Sequence, residues 1–284
     1  MDELLSVEGL QKRFPGRRNI LGRPRSWNHA VQDVSFTLEV GRTLAVVGES
    51  GAGKSTVGRM ILRLIEPDAG TVRFRGEDVA SLGREPLRRW RRHAQMIFQD
   101  PYNSLDPRMV IGDLVAEPLL MLDHMTRRDR EHRVAELLDR VGLEPRFAIR
   151  YPYEFSGGQL QRIAIARALA THPELIVCDE PVAALDMSVR AQILNLLRDL
   201  QEERGISYLF ISHDLSLVRI VADAVAVMSR GRIVEMGPTA SIFDEPQDPY
   251  TRELLSSVPI PHPRIERTRR TRPTALVEEI PPSA

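Results

Sequence analysis

The run Gly48-Glu49-Ser50-Gly51-Ala52-Gly53-Lys54-Ser55-Thr56 fits the pattern G-x-x-x-x-G-K-[ST]. Glycines at this spacing let successive backbone N–H groups turn inward around phosphate oxygens, and a helix beginning at the lysine adds its positive dipole end. Lys54 is suited to the β- and γ-phosphates and the Ser55 hydroxyl to a Mg²⁺ ion. Only Lys12 and Lys54 are lysines among the 39 basic residues; the others are arginine. Arginine forks to oxyanions, whereas lysine is a compact point charge, so a lysine at this position in such a chain is pointed. A glycine-rich turn with an incidental lysine is the competing reading. The strand expected before the run and the helix expected after it argue for a nucleoside triphosphate.

A second acidic element follows an apolar run. Leu175-Ile-Val-Cys178 ends in Asp179-Glu180-Pro181. An Asp at the end of a buried strand can hold Mg²⁺ through water, and a neighbouring Glu can orient an attacking water. Alone, such a pair could simply cap the next helix; beside the phosphate loop, the cofactor-site reading prevails. Cys178 is expected to be a buried small hydrophobe rather than a reactive thiol. As the only cysteine it allows no internal disulfide and no cysteine-only metal site.

The elements that must carry these residues follow from periodicity. Val34, Phe36, Leu38 and Val40 alternate as a half-buried strand, and Leu44–Val47 is a short run suited to a strand buried on both faces. Lys54–Leu64 reads as a helix, and Thr71–Arg75 and Ala94–Phe98 as strands. Val134, Leu137, Leu138 and Val141 mark an amphipathic helix closed by Gly142, and a second helix runs from Gln159 to Ala170. Apolar strands are expected at Leu175–Cys178, Tyr208–Ile211 and Ala224–Met228, with a helix near Ser188–Arg204 and a hairpin turn at Arg230–Gly231–Arg232. After Asp244 the chain is proline-rich, and from Pro259 no periodicity survives. Strands alternating with helices predict an α/β fold with a mostly parallel sheet, interrupted by a helical insertion near residues 100–160.

Phe155-Ser156-Gly157-Gly158-Gln159-Leu160-Gln161-Arg162, opening a helix, resembles the signature motif of ABC-type ATPases. Gln99 after a strand resembles that family's Q-loop, Ala184-Leu185-Asp186 its D-loop, and His213 after Phe210-Ile-Ser its switch histidine, all in the family's order. The resemblance covers about residues 4–250. It implies a P-loop NTPase (RecA-like) core with an antiparallel β subdomain and a helical subdomain: an ATPase domain over 4–254, with core segments about 4–98 and 166–245 and the helical part about 99–165. It also implies ATP and Mg²⁺ as cofactors, and a head-to-tail dimer in which Ser156, Gly157 and Gly158 of one chain meet the nucleotide on the loop of another. Asp179, Ser55 and Gln99 would organise Mg²⁺, Glu180 would polarise water and His213 would steady the γ-phosphate. Phe14 matches the adenine-stacking aromatic, with an ordinary core role as the alternative. The D-loop departs from the family pattern at Ala183, where serine is usual, which bears on communication between two sites rather than on the chemistry.

Phe98-Gln-Asp-Pro-Tyr-Asn-Ser-Leu-Asp-Pro-Arg108 and Gln247-Asp-Pro-Tyr-Thr-Arg-Glu-Leu-Leu-Ser256 resemble the oligopeptide/dipeptide/nickel importer ATPases. That implies peptide uptake, with nickel, glutathione or opine-like cargo as alternatives. It also implies a second ATPase subunit, commonly a paralogue, two integral-membrane permeases, an extracytoplasmic solute-binding protein, and a place at the cytoplasmic face of the membrane. Residues 255–284 would be that group's C-terminal extension, largely irregular. With no cysteine beyond Cys178, no iron–sulfur cluster is expected. Repair-type relatives insert long coiled coils between the phosphate loop and the signature, and translation types carry two cassettes; neither pattern is present.

Composition agrees. In 284 residues, 42% are hydrophobic and 27% charged, which excludes wholesale disorder. No apolar run of about 18 residues exists, and the first residues lack the basic start and apolar stretch of a signal peptide. Basic and acidic residues balance at 39 each, which argues against nucleic acid as a partner. The arginine runs 84–92 and 264–272 and the arginine-rich stretch between Phe14 and His29 read as solvated surface, with anionic lipid headgroups as the alternative.

Overall fold

The computed structural model describes residues 2–16, 26–121 and 125–257. The arginine-rich stretch after Phe14 largely, the run 264–272 and the expected irregular extension beyond residue 257 lie outside the described residues. Ten strands are described: β1 (Glu3–Pro15), β2 (Trp27–Glu39), β3 (Thr43–Val47), β4 (Ala69–Phe74), β5 (Glu77–Asp78), β6 (Ala94–Ile97), β7 (Leu175–Asp179), β8 (Ser207–Ser212), β9 (Ala224–Ser229) and β10 (Arg232–Pro238). The helices are α1 (Lys54–Ile61), α2 (Arg84–Trp90), α3 (Pro101–Ser104), α4 (Ile111–Ala116), α5 (Arg127–Arg140), α6 (Gly157–Leu169), α7 (Met187–Arg204), α8 (Leu215–Val221), α9 (Thr239–Asp244) and α10 (Pro249–Ser256).

Two sheets organise them. One is antiparallel, in the order β2-β1-β4-β5. The other runs β10-β9-β3-β8-β7-β6 and is parallel except for the β9–β10 hairpin. Strands β3, β7 and β8 are buried along their whole length, as continuous apolar runs covered on both faces require. Successive side chains still go to opposite faces. Leu44, Val46, Leu175, Val177, Leu209 and Ile211 join the core shared with the antiparallel sheet and α1. Ala45, Val47, Ile176, Cys178, Tyr208 and Phe210 join the core shared with α4–α7. The parallel sheet is thus the middle layer, and what it carries at its strand ends is held from two sides.

The helical insertion forms from its own stripes. Val134, Leu137, Leu138 and Val141 of the α5 region are buried against Ile111, Leu114 and Val115 of α4 and Leu160 and Ile163 of α6. Thr126 and Asp129 close a capping box at the start of α5, the Thr126 hydroxyl accepting from the Asp129 N–H and the Asp129 carboxylate from the Thr126 N–H.

Burial decides the character of the cysteine. Cys178 is fully buried, and that burial pushes its thiol pKa upward. The thiolate is the nucleophile, so the native chain should resist alkylation by iodoacetamide and take up one equivalent only in denaturant, as mass spectrometry would read directly.

Candidate functional site

Parallel pairing sets which residues meet. Val47 lies opposite Ser212, Asp179 opposite Ile211 and Ile97 opposite Cys178. The strands β3, β8, β7 and β6 therefore end along one edge, and the segments leaving them carry the phosphate loop, His213, Glu180 and Gln99. Open sheets of this kind place their ligands beyond the carboxyl ends of the strands.

The loop between β3 and α1 has the backbone the motif demands. Gly53 has φ 102°, and a Cβ there would lie 2.1 Å from the Ala30 carbonyl oxygen; at Gly48, φ 144°, it would lie 2.0 Å from that of Met228. Neither position admits another residue. Lys54 is 5% exposed and its Nζ donates to the Gly48 and Glu49 carbonyl oxygens, each at 2.8 Å. Burial lowers its pKa, countered by the carboxylates of Glu180, Asp179 and Glu49. Immediately beyond it, the Ser55 hydroxyl donates to Asp179 Oδ1 at 2.6 Å. Asp179 is 2% exposed; burial raises its pKa, while the Ser55 hydrogen bond and Arg59, 4.0 Å away, act against that rise.

Glu180 is the meeting point of the other two strand ends. Gln99 Nε2 donates to its Oε2 at 2.8 Å, and His213 Nδ1 lies 3.1 Å from its Oε1. Its backbone sits in the left-handed region at φ 49°, held by a hydrogen bond from its N–H to the Ile211 carbonyl at 3.0 Å. A strained residue fixed from the neighbouring strand points its carboxylate reproducibly.

Most of these groups line a cleft of about 610 Å³, within the range of small-molecule sites; Asp179, hydrogen-bonded to Ser55, is not on its wall. Phe14, Ser50, Gly51, Gly53, Lys54, Ser55, Thr56, Gln99, Glu180 and His213 are all on its wall. Two further wall residues, Asn28 and Ala30, carry no sequence motif; the β1–β2 pairing of Phe14 with Asn28 brings them there. The expected loop members Gly48, Glu49 and Ala52 are not on that wall. Ala52 is buried and its carbonyl accepts from the Gly231 N–H at 3.0 Å, which ties the loop to the β9–β10 turn.

Ser156, Gly157, Gly158, Gln159 and Asp186 are likewise absent from the cleft wall. Ser156 caps α6, accepting from the Gln159 N–H at 3.3 Å while Gln159 Oε1 accepts from the Ser156 N–H at 3.0 Å. Asp186 caps α7 through the Val189 N–H at 2.9 Å, and that bond, with one from Ser188, lowers its pKa. Arg190 braces the intervening turn, donating to the Leu185 carbonyl at 2.7 Å and the Ala183 carbonyl at 3.1 Å, with Asp214 at 3.6 Å.

The donor chemistry fits a small divalent cation beside a polyphosphate. Ser55 and Asp179 supply a hydroxyl and a carboxylate within 2.6 Å of each other. No cluster of three or more His, Cys, Asp or Glu groups able to hold a metal occurs among the described residues. Mg²⁺ suits such a site, since it is commonly bound through one or two protein oxygens, phosphates and water.

Fold and cleft define a phosphate-loop nucleotide-binding protein. A family model described as ABC transporter matches residues 31–183, and one described as the C-terminal region of oligopeptide/dipeptide transporters matches residues 234–282. The glutathione import ATP-binding protein GsiA of Escherichia coli (strain K12) is 52% identical over 269 residues, covering 95% of this chain and 43% of that protein. The probable peptide ABC transporter ATP-binding protein y4tS of Sinorhizobium fredii is 51% identical over 266 residues, covering 94% of this chain and 75% of that one. The chain thus spans less than half the length of the glutathione-import relatives it matches. Among solved structures, MJ0796 in a dimeric post-hydrolysis state bound to ADP and Pi aligns with TM-score 0.74 and 29% identity, covering 83% of this chain and 99% of that one. CbiO1 of Clostridium perfringens, part of the cbiONQ transporter complex, aligns with TM-score 0.75 and 27% identity, covering 95% of this chain and 100% of that one. The chain belongs to the ABC transporter family of ATP-binding proteins.

Proposed function

We propose that this chain is the ATP-hydrolysing subunit of an ABC importer that takes up peptides, acting at the cytoplasmic face of the cell membrane. The observation that carries the ATPase part is the convergence of Gln99 and His213 on Glu180 beside the Lys54–Ser55–Asp179 cluster. Peptide cargo is supported by the match of residues 234–282 to the oligopeptide/dipeptide transporter C-terminal region, and by relatives named for peptide and glutathione import. Glutathione is itself a tripeptide, so both names point to one cargo class.

In this reading the loop N–H groups and Lys54 hold the phosphates and Phe14 stacks on the base. Mg²⁺ would be held by Ser55 and Asp179 with Gln99 nearby, and when bound it neutralises charge on the phosphates. Glu180 orients a water and accepts its proton as the water oxygen bonds to the γ-phosphorus and the bond to the bridging oxygen breaks. His213 steadies the γ-phosphate as it leaves. The signature residues Ser156–Gln159 and Asp186, outside the cleft wall, serve the nucleotide of a facing ATPase subunit, a paralogue or a second copy. The dimeric state of MJ0796 bound to ADP and Pi supports that arrangement. We divide the chain accordingly into an ATPase domain at 4–254 (core about 4–98 and 166–245, helical part about 99–165) and an extension from 255.

Purification of the full chain from membranes in mild detergent tests the assembly. Two integral-membrane subunits and one further ATP-binding subunit should accompany it in stoichiometric amounts. Recovery of the chain alone from the soluble fraction would sink the transporter reading while leaving the nucleotide site intact.

A further inference from the structure

A residue outside the phosphate loop and far from it in sequence is bonded to its first turn. The Glu49 N–H donates to the hydroxyl oxygen of Tyr250 at 3.1 Å, across 201 residues of chain. Tyr250 is half-buried at the start of α10, packed against the core that α4–α7 share with the sheet. It belongs to the Gln247-Asp-Pro-Tyr250 stretch, for which the cleft chemistry has no use.

The position of that hydroxyl is built in. Asp248 caps α10, accepting from the Tyr250 N–H at 2.8 Å, and Pro249 occupies the first helical turn. The segment is moored to β10 by Glu235, whose two carboxylate oxygens accept from the Gln247 N–H at 2.8 Å and the Asp248 N–H at 3.0 Å. Arg252 Nε adds a bond to the Pro246 carbonyl at 2.9 Å. Backbone and side chain thus fix where the tyrosine ring leaves the helix.

The peptide it meets is the one that also holds Lys54. The Glu49 N–H and the Gly48 carbonyl belong to the same planar trans unit and point in opposite directions. Lys54 Nζ donates to that carbonyl at 2.8 Å, while the tyrosine hydroxyl accepts from the N–H on the other side. Gly48, at φ 144°, offers little intrinsic resistance to rotation of this unit. A hydrogen bond at each end is what holds it.

We propose that Tyr250 is a positioning residue for nucleotide binding: its hydroxyl locks the Gly48–Glu49 peptide, and through it the resting place of Lys54, so that the C-terminal helix sets the affinity of the phosphate loop. The proposal rests on the nucleotide-binding reading of the cleft. It makes α10 a lever on the site, since any displacement of the helix withdraws the hydroxyl from the loop.

Tyr250→Phe in the full chain tests it, because the ring and its packing remain and one oxygen is removed. Mg·ATP binding by calorimetry, steady-state hydrolysis and thermal melting without nucleotide are measured side by side. The loss of one hydrogen bond acting before the chemical step should raise Kd and KM for ATP about three- to tenfold. The turnover number at saturating ATP should stay within about twofold, as for loss of binding common to ground and transition states. The melting temperature without nucleotide should fall by no more than about 2–4 °C, the cost of one hydrogen bond in a domain of this size. An unchanged Kd, with or without a fall in melting temperature, would overturn the proposal and leave Tyr250 a packing residue, with the nucleotide-binding reading untouched. Failure of the wild-type chain itself to bind ATP would overturn that reading and this proposal together.

Discussion

Replacing Glu180 with Gln is expected to cut ATP hydrolysis by about 10²- to 10⁴-fold, the range in which a positioned general base contributes, while ATP still binds. The substitution is nearly isosteric and leaves the backbone at φ 49° and its bond to Ile211 undisturbed. A glutamine oxygen can still accept from Gln99 Nε2, which lies 2.8 Å from Glu180 Oε2. What is lost is the carboxylate proposed to take the proton from water. Lys54, Ser55 and Asp179 are untouched, so nucleotide affinity should be retained and ATP should persist unhydrolysed on the protein. Phosphate release and equilibrium binding, measured on the same preparation, separate the two effects. Parallel loss of binding would mean that Glu180 acts as a loop support rather than as the base.

Lys54→Ala should have the converse signature. The lysine is the cation at the mouth of α1, 5% exposed, and it donates to two loop carbonyls at 2.8 Å. Its removal takes away the proposed charge-assisted contact to phosphate and also strips those two carbonyls of their donor. Such bonds contribute about 1.5–3 kcal/mol each, so ATP affinity should fall by at least ~10–100-fold. Arginine is not expected to rescue it. The site is a narrow, buried one shaped for a point charge, and a planar fork needs room on two sides. Hydrolysis at physiological ATP should vanish with binding. An alanine variant that binds Mg·ATP like the wild type would remove the phosphate loop from the mechanism.

Much of this was legible from residue order alone, for a physical reason. The phosphate loop, the strand ending in Asp179–Glu180, and the helices carrying Val134–Val141 and Gln159–Ala170 are local: each depends on turn chemistry or apolar spacing within a few residues. The strands predicted at 44–47, 94–98, 175–178, 208–211 and 224–228 agree with β3, β6, β7, β8 and β9 to within a residue or two. What stayed hidden depends on pairing between distant segments. Strand β1 is long but interrupted by register shifts against β2, and Leu4, Leu5, Ser6 and Val7 are buried in succession, so no alternation announces it. Helix α10 is short and begins in a proline-rich stretch that reads as loop. Asn28 and Ala30 reach the cleft only because β2 lies beside Phe14, and Tyr250 reaches Glu49 only because Glu235 moors its helix. None of these has a spacing to find.

The signature residues show the reverse case. Ser156–Gln159 are conspicuous in the sequence, yet within one chain they form a helix cap away from the cleft wall. Their serine, bare backbone and helix start are the features we propose for contact with the phosphates of a facing subunit. In the arrangement we propose, a second ATPase subunit supplies that surface from the far side of the nucleotide.

The central claim, that ATP turnover at Glu180 drives peptide uptake, is tested most directly in cells lacking this chain and restored with either the wild type or Glu180→Gln. Uptake of labelled glutathione, a dipeptide, a longer peptide and Ni²⁺ is followed in each. The account predicts that uptake of glutathione or another peptide returns with the wild type and not with Glu180→Gln, at equal amounts of protein. Restoration by both chains, or uptake of every solute independent of either, would contradict it.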